Sequence, residues 1–364
     1  MSQFSLVSAP LAAPHTHGGE GVGTIMRKVM LALTPATLFA FWLYGWPAVH
    51  LWWITVLASV LGEGLAVRAM GGRVWATLGD GSAILTGWIL ALSLPPWAPW
   101  WIGASGGLFA TILGKQVFGG LGCNLFNPAM IARVALLISF PVHMTQMVEP
   151  LPLGSTGAPD FVAGLRLIFF GGPEFDAVSS ATLLSHTKAE FSRGLDLIQQ
   201  GVSLPSVLGI QAGSLGETSA LLIALGGVVL LGWRVISWPI PLAMLTGLAV
   251  PALIAHALDP ARYLDAATHL LSGAAVLGAF FIATDSVTSP NTRPGQLVFG
   301  LGCGLLTWII RTYGSYPEGV AFAVLLMNAT TPLIDRWIRP RIYGRDRRGR
   351  ALEPSHPDSK GDQR

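Results

Sequence analysis

Thr182 is the residue of this chain best placed for chemistry. It closes the run Asp176-Ala177-Val178-Ser179-Ser180-Ala181-Thr182. Ser179, Ser180 and Ala181 are small and leave room beside the hydroxyl, and Asp176 can help position the segment. A threonine oxygen is a poor nucleophile at neutral pH, so modification there needs an external enzyme. The pattern reads as an acceptor for a bulky group delivered by another protein. Taken by itself it also reads as an ordinary Ser/Thr-rich turn.

A second group of residues could handle ions. Asp285 stands among Thr284, Ser286, Thr288 and Ser289, an oxygen-rich set that suits sodium or a proton equally. Glu63 and Asp80 lie near the ends of apolar segments, as do Glu318 and Asp335. An ionisable group inside a membrane span marks a functional site by default, whereas one at an interface is merely solvated. The glycine-rich run from Gly119 to Ala129 brings Asn124 and Asn127 towards the membrane interior. It reads either as a helix-capping and packing motif or as a polar lining. Cys123 and Cys303 each end a Gly-Leu-Gly-Cys string, read as small residues at helix contacts, and no haem or zinc ligand spacing is seen.

The elements that must position these residues follow from composition. Of 364 residues, 52% are hydrophobic and only 11% charged. Soluble domains carry about 25% charged residues, so the chain is an all-α polytopic membrane protein. Its 44 glycines and 25 prolines fit that class, since both are frequent in membrane helices. Residues before Gly23 are polar, without a leading basic segment and apolar stretch, so no cleavable signal is expected. His15 and His17 read as solvated.

Spans of roughly 20 apolar residues are expected at Met26–Trp46, Ala48–Val67, Val74–Leu94, Pro99–Gly114 and Leu125–Val142. Five more follow at Thr218–Ile236, Trp238–Leu258, Ala266–Thr284, Gln296–Ile310 and Pro317–Ile334. Arg27, Lys28, Arg68, Arg73, Lys115, Arg234, Arg293 and the arginine-rich tail then fall on one side, which the positive-inside rule makes cytoplasmic. Arg311, Arg166 and Arg193 are exceptions, and Arg133 falls inside a span, where it needs a protein partner. The tail reads as a membrane flank, and no nucleic-acid partner is expected.

The halves echo each other at a shift a little under two hundred residues. Phe118-Gly119 matches Tyr313-Gly314, and Leu92-Ser93-Leu94-Pro95-Pro96 matches the run from Thr284 to Pro290. Five spans per unit is odd, so the second copy is inverted, an arrangement that places sites at the unit boundary. The Gly-Leu-Gly-Cys recurrence lies off this shift and is read as chance. The expected units are a cytoplasmic tail (1–25), a first five-helix repeat (26–147), a periplasmic loop holding Thr182 (148–217), a second repeat (218–335) and a basic cytoplasmic tail (336–364).

Five strings carry a family resemblance: Ile25-Met26 with Leu31–Ala36, Asn124–Ala129, Asp-x-x-Ser-x-Ala-Thr ending at Thr182, Ala283–Pro290, and Tyr316–Asn328. Through them the chain resembles the D subunits of Rnf electron-transport complexes and, less closely, the B subunits of sodium-translocating NADH:quinone reductases. The resemblance implies two inverted five-helix halves and FMN on Thr182 through a phosphoester, with Asp176, Ser179 and Ala181 as the attachment motif. It leaves room for a second, non-covalent flavin. It implies a subunit, not catalytic alone, of a translocase passing electrons between ferredoxin and NAD with movement of sodium or protons. Its partners would be the other Rnf subunits, a flavin transferase and membrane lipid, in the bacterial inner membrane with both termini cytoplasmic. The usual acceptor string has glycine and proline where Ser180 and Leu183 stand here. A channel or secondary transporter without redox chemistry is the alternative reading of the same repeat.

Overall fold

The computed structural model describes residues 21–171, 179–180, 182–192, 210 and 212–340. Helix α1 (Val22–Ala69) holds the first two expected spans. They part at Gly45, whose φ of 72° and ψ of −164° lie outside the helical range. Glycine accepts a positive φ without a Cβ clash, and Pro47 then restarts a helix whose first N–H would have been unpaired anyway. The limbs fold back on one another. Met26 and Met30 of the first limb lie against Gly81. Glu63 of the second meets Lys115, which also bonds Ser82.

The first half continues with α2 (Val74–Leu78), α3 (Ser82–Leu92), α4 (Trp100–Ile112), α5 (Pro128–Ser139) and α6 (Pro141–Thr145). The connecting region holds β1 (Met147–Val148), α7 (Phe161–Phe170), β2 (Ser179–Ser180) and α8 (Leu183–Ser192). The second half has α9 (Ala220–Gly232), α10 (Pro239–Leu258), α11 (Ala266–Leu271), α12 (Ala275–Leu277) with a π-turn at Gly278–Ile282, α13 (Arg293–Tyr313) and α14 (Val320–Trp337). One buried core, including Leu33, Leu90, Met130, Leu230, Phe281 and Phe299, joins both halves.

This is a helical polytopic membrane protein, but its spans differ from the expected full-length set. Among the described residues, α1, α10 and α13 are long and apolar enough to cross a membrane. Helix α3 has 11 residues, α4 and α9 have 13 each, and α5 has 12. The third expected span breaks at Gly81 (φ 76°) and the eighth at Gly273 (φ 67°). Such breaks are tolerated in a membrane only where protein covers the freed backbone groups. At Gly273 it does: Arg311 donates to His269 O at 2.5 Å and Ser272 O at 3.1 Å, and Glu318 accepts the N–H of Ala274 at 3.0 Å.

The internal echo reappears as contacts. Arg133 on α5 donates to Ser93 O, just past α3, at 2.6 Å. Asn328 on α14 donates to Thr288 O, beyond the eighth span, at 3.1 Å. Each pair is 40 residues apart. One pair is shifted from the other by the expected amount. The first contact lies at the end of the molecule that carries Thr182, and the second lies at the other end, as inversion requires.

The cysteine strings part company. Cys303 is buried in α13, where Gly300 and Gly304 let α10 approach closely. A Cβ on Gly304 would stand 2.2 Å from Met244 O, the small-residue contact expected between membrane helices. Cys123 is exposed in the loop before α5. The helix-contact reading fails for it because the loop's glycines at 119, 120 and 122 adopt positive φ and keep the segment out of a helix.

Candidate functional site

Thr182 stands at the start of α8. Its Oγ1 accepts the N–H of Ser185 at 3.1 Å and lies 2.6 Å from Ser185 Oγ. That is a helix N-cap, which satisfies one of the unpaired N–H groups of the first turn. The segment before it is fixed by β2, which pairs antiparallel with β1 through Met147–Ser180 and Val148–Ser179. Of the expected attachment motif, Asp176 and Ala181 lie outside the described residues, and Ser179 is described by its backbone alone.

The half-buried Thr182 lines a cavity of about 40 Å³ with Arg133, Met147, Glu217, Tyr316 and Glu318. Arg133 finds the partner its place in a span demanded: beyond Ser93 O, its Nη2 lies 4.0 Å from Glu217 Oε1. Arg311 Nη2 donates to both oxygens of Glu318, at 3.0 and 3.1 Å. Two buried ion pairs therefore lie under the acceptor threonine, one joining the first half to the connecting region and one within the second half. Glu217 carries no role in the sequence reading, although an acid just ahead of an apolar run, with Thr218, Ser214 and Ser219 beside it, is a readable signal.

Helix α8 is fastened to the second half by Lys188. Its Nζ donates to Ile310 O at 3.1 Å, Arg311 O at 3.1 Å and Tyr316 O at 2.8 Å. The ammonium thus covers carbonyls at the C-terminus of α13, the end of a helix that favours a cation. Burial lowers the Lys188 pKa from the ordinary lysine value.

The three expected ion-path acids gather at the opposite end. Glu63 is fully buried, its Oε1 accepting from Lys115 Nζ at 2.6 Å and Gln116 Nε2 at 2.6 Å. Asp80 accepts the N–H of Ser82 at 2.7 Å and also the Ser82 hydroxyl. Lys115 bonds that same hydroxyl at 2.5 Å. Ser82 and Lys115 in turn line a cavity of about 100 Å³ with Asn124, Asn127, Thr284 and Asp285. Asp285 accepts from Val287 N at 3.3 Å and Thr288 Oγ1 at 3.2 Å. By sequence Lys115 reads only as a topology marker. In the structure it is the tether that joins Glu63 to this cavity.

The remaining candidates divide. Asn127 accepts from Ala129 N and Met130 N at 3.1 and 3.3 Å, so it caps α5. Asn124 Oδ1 is buried without a hydrogen-bond partner among the described residues and belongs to a residue of the cavity wall. Asp335 takes two bonds from Asn291 and serves a loop.

Comparison with known proteins agrees with this architecture over nearly the whole chain. The D subunit of the ion-translocating oxidoreductase complex of Halorhodospira halophila is 55% identical over 353 residues, covering 95% of this chain and 98% of that protein. The corresponding protein of Stutzerimonas stutzeri is 52% identical, covering 92% and 95%. That of Rhodobacter capsulatus is 46% identical, covering 83% and 85%. The sequence model of one family spans residues 11–344, both halves and the loop between them, and the chain belongs to that family, NQR2, RnfD, RnfE.

Proposed function

We propose that this chain is a membrane subunit of an ion-translocating oxidoreductase complex and carries FMN esterified through its phosphate to Thr182. The observation that carries the reading is the Thr182 hydroxyl at the head of a ten-residue helix, above two buried ion pairs. The residues present fit the group. A helix N-terminus offers free N–H groups and a positive dipole end to a phosphate. As an ester oxygen, Oγ1 keeps lone pairs and can still accept from Ser185 N. The cavity below is too small to enclose a tricyclic ring, so Arg133, Glu217 and Glu318 act as fixed charges under the acceptor. Bound flavin would supply one- and two-electron redox chemistry.

On this reading electrons pass between ferredoxin and NAD through the assembled complex, coupled to sodium or proton movement. Asp285, Glu63 and Asp80 would serve the ion, because their contacts converge on one cavity at the end away from Thr182. The partners are the other subunits, a flavin transferase and lipid of the bacterial inner membrane, with the Thr182 loop periplasmic and both termini cytoplasmic. The test is mass spectrometry of the tryptic peptide 167–188 from the complex isolated from its host. The peptide is expected to gain the mass of FMN less water on Thr182, and Thr182→Ala to lose in-gel flavin fluorescence. Recovery of the peptide wholly unmodified refutes the assignment. Flavin-free protein that conducts a small solute in liposomes favours the transporter alternative.

A further inference from the structure

We propose that helix α7 lies flat in the membrane interface at the Thr182 end of the molecule, with Phe161, Val162, Leu165 and Phe169 set into lipid at the boundary of headgroups and acyl chains. The inference does not depend on flavin attachment.

Depth is fixed by contacts. The turn of α1 at Gly45 belongs to the Thr182 end. Tyr44 beside it donates to Gly213 O at 3.1 Å, and Gly213 lies against Glu217, a wall of the cavity under Thr182. From this end the second limb of α1 and α4 run side by side in the same direction. Gly103 lies against Leu51 and Thr55, and Thr111 against Gly62. His50 and Trp100 are therefore level to within about one turn. Helix α7 touches both. At its start the His50 ring donates through Nε2 to Phe161 O at 3.1 Å, with the two rings 4.7 Å apart. Near its other end Phe169 stacks on Trp100 at 5.3 Å. Between them Gly164 sits against Trp46 and Pro47. Both ends of α7 thus lie at one depth, and the helix runs along the membrane plane. Its ten residues make about 15 Å, half of the roughly 30 Å hydrocarbon core.

The chemistry of the open face names its occupant. Gly164 and Ile168 are buried against α1, whereas Phe161, Val162, Leu165 and Phe169 are 40–56% exposed. At helical spacing these four share an arc of about 100°. Arg166, one turn after Val162, stands exposed at its border, where a guanidinium can reach headgroup phosphates while its stem stays in apolar surroundings. Phe170, the last residue, lies off this arc. The face continues an exposed stripe of a spanning helix, Trp53, Leu57, Leu61 and Leu65 on the second limb of α1. Lipid fits it better than another helix does. Helices of this chain meet through small residues, Gly103 and Gly107 against α1 and Gly304 against α10, as membrane helices generally do. The one glycine of α7 is on its buried side, and its outward row is bulky. Phenylalanine and leucine beside tryptophan, with a bordering arginine, are what interfacial helices present to the outer few ångströms of a bilayer. Helix α7 ends at Gly171, from which the chain leads on to β2 and Thr182. Its seat in lipid therefore fixes one end of the acceptor loop at the membrane surface.

The experiment uses the full chain with the exposed Cys123 changed to serine, Cys303 being buried. A polarity-sensitive dye is attached at Val162→Cys, at Phe169→Cys and, as a control in an exposed loop, at Thr156→Cys. All three are exposed positions whose change should leave the fold intact. In nanodiscs of phosphatidylcholine with phosphatidylglycerol, each label meets three quenchers: lipid with a nitroxide near the glycerol, lipid with one near the chain end, and iodide in water. Labels at 162 and 169 are expected to emit to the blue of the label at 156, to be quenched most by the shallow nitroxide and least by iodide. The label at 156 is expected to be quenched most by iodide. Iodide quenching at 162 and 169 equal to that at 156 places the face in water and overturns the proposal. Protection from all three quenchers means that protein covers the row, and strongest quenching by the deep nitroxide means that α7 does not lie flat. Either result overturns it as well. The shallow-lipid pattern is expected to persist in the assembled complex, and its loss there assigns the face to a partner subunit instead of lipid.

Discussion

The Glu63–Lys115 pair gives the sharpest quantitative expectation. Both side chains are removed from solvent, at 0% and 1% exposure, and are joined at 2.6 Å. Removing one member of a buried pair strands the other charge, at a cost of about 3–5 kcal/mol, whereas replacing both with neutral groups of similar volume is often nearly neutral. Lys115→Met leaves the Glu63 carboxylate with Gln116 as its remaining described donor. Glu63→Gln leaves an ammonium with Ser82 Oγ. Each single change is therefore expected to cost about 3–5 kcal/mol, and the double change on the order of 1 kcal/mol or less, so the coupling energy, roughly 5 kcal/mol or more, exceeds either single effect. The assay is unfolding of the detergent-solubilised chain in a four-member cycle. Running the cycle in sodium chloride and in choline chloride adds a second readout. If Glu63 can serve a cation path, sodium should restore part of the stability lost in Lys115→Met. Additive single costs would show that the two charges do not depend on one another. Glu63 would then be solvated, and its link to the Asp285 cavity through Lys115 would fail.

Two further outcomes follow from particular contacts. Lys188→Met uncovers three carbonyls beyond and at the end of α13 and is expected to cost about 1–3 kcal/mol. Amide exchange should quicken at residues 310–316, with partial recovery in Lys188→Arg, and unchanged exchange there would remove Lys188 as the fastening of α8. Gly304→Ala should destabilise more than Gly302→Ala in thermal unfolding. The first Cβ would meet the Met244 backbone at 2.2 Å, the second the flexible end of Met327 at 2.5 Å. The reverse order would contradict the close packing of α10 on α13.

Much of this architecture could be read from the chain, and the unread part has a common cause. Apolar run lengths and the cationic flanks outline the span order, but the breaks at Gly81 and Gly273 fall inside runs that read as continuous. The shift between the halves was readable because Leu92–Pro96 and Thr284–Pro290 keep turn residues in register. Partners were not readable. Arg133 announced itself as a charge inside a span, but Ser93 O is a backbone atom 40 residues away and leaves no sequence signal. Glu318 was visible as an acid, yet its bidentate hold on Arg311 depends on the turn through Tyr313–Gly319. Lys115 looked like a flank because it ends an apolar run, and only the fold-back of α1 at Gly45 buries it against Glu63. Asn127 was balanced between capping and lining. The structure assigns its side chain to the cap and leaves the unpartnered oxygen to Asn124.

Helix α5 bears most directly on how the two ends could communicate. Its first residues, Pro128 and Ala129, line the Asp285 cavity, and Arg133 and Leu137 line the one under Thr182. Ala129 and Arg133 are four residues apart, about 6 Å along a helix axis. One rigid turn therefore separates the walls of the two cavities, at the boundary between the repeats where inverted folds place their sites. The helix also reaches beyond the first half: at its N-cap Asn127 N donates to Asn328 Oδ1 at 3.2 Å, and mid-helix Arg133 faces Glu217 of the connecting region at 4.0 Å. Coupling between distant sites requires an element with two arrangements whose balance both sites bias. If Thr182 carries the proposed flavin, a change of its charge would act on Arg133, and an axial shift of Arg133 would move Asn127 with it through the hydrogen-bonded helix. The long 4.0 Å separation of Arg133 from Glu217, against 3.0 Å for Arg311 and Glu318, makes the first pair the looser of the two.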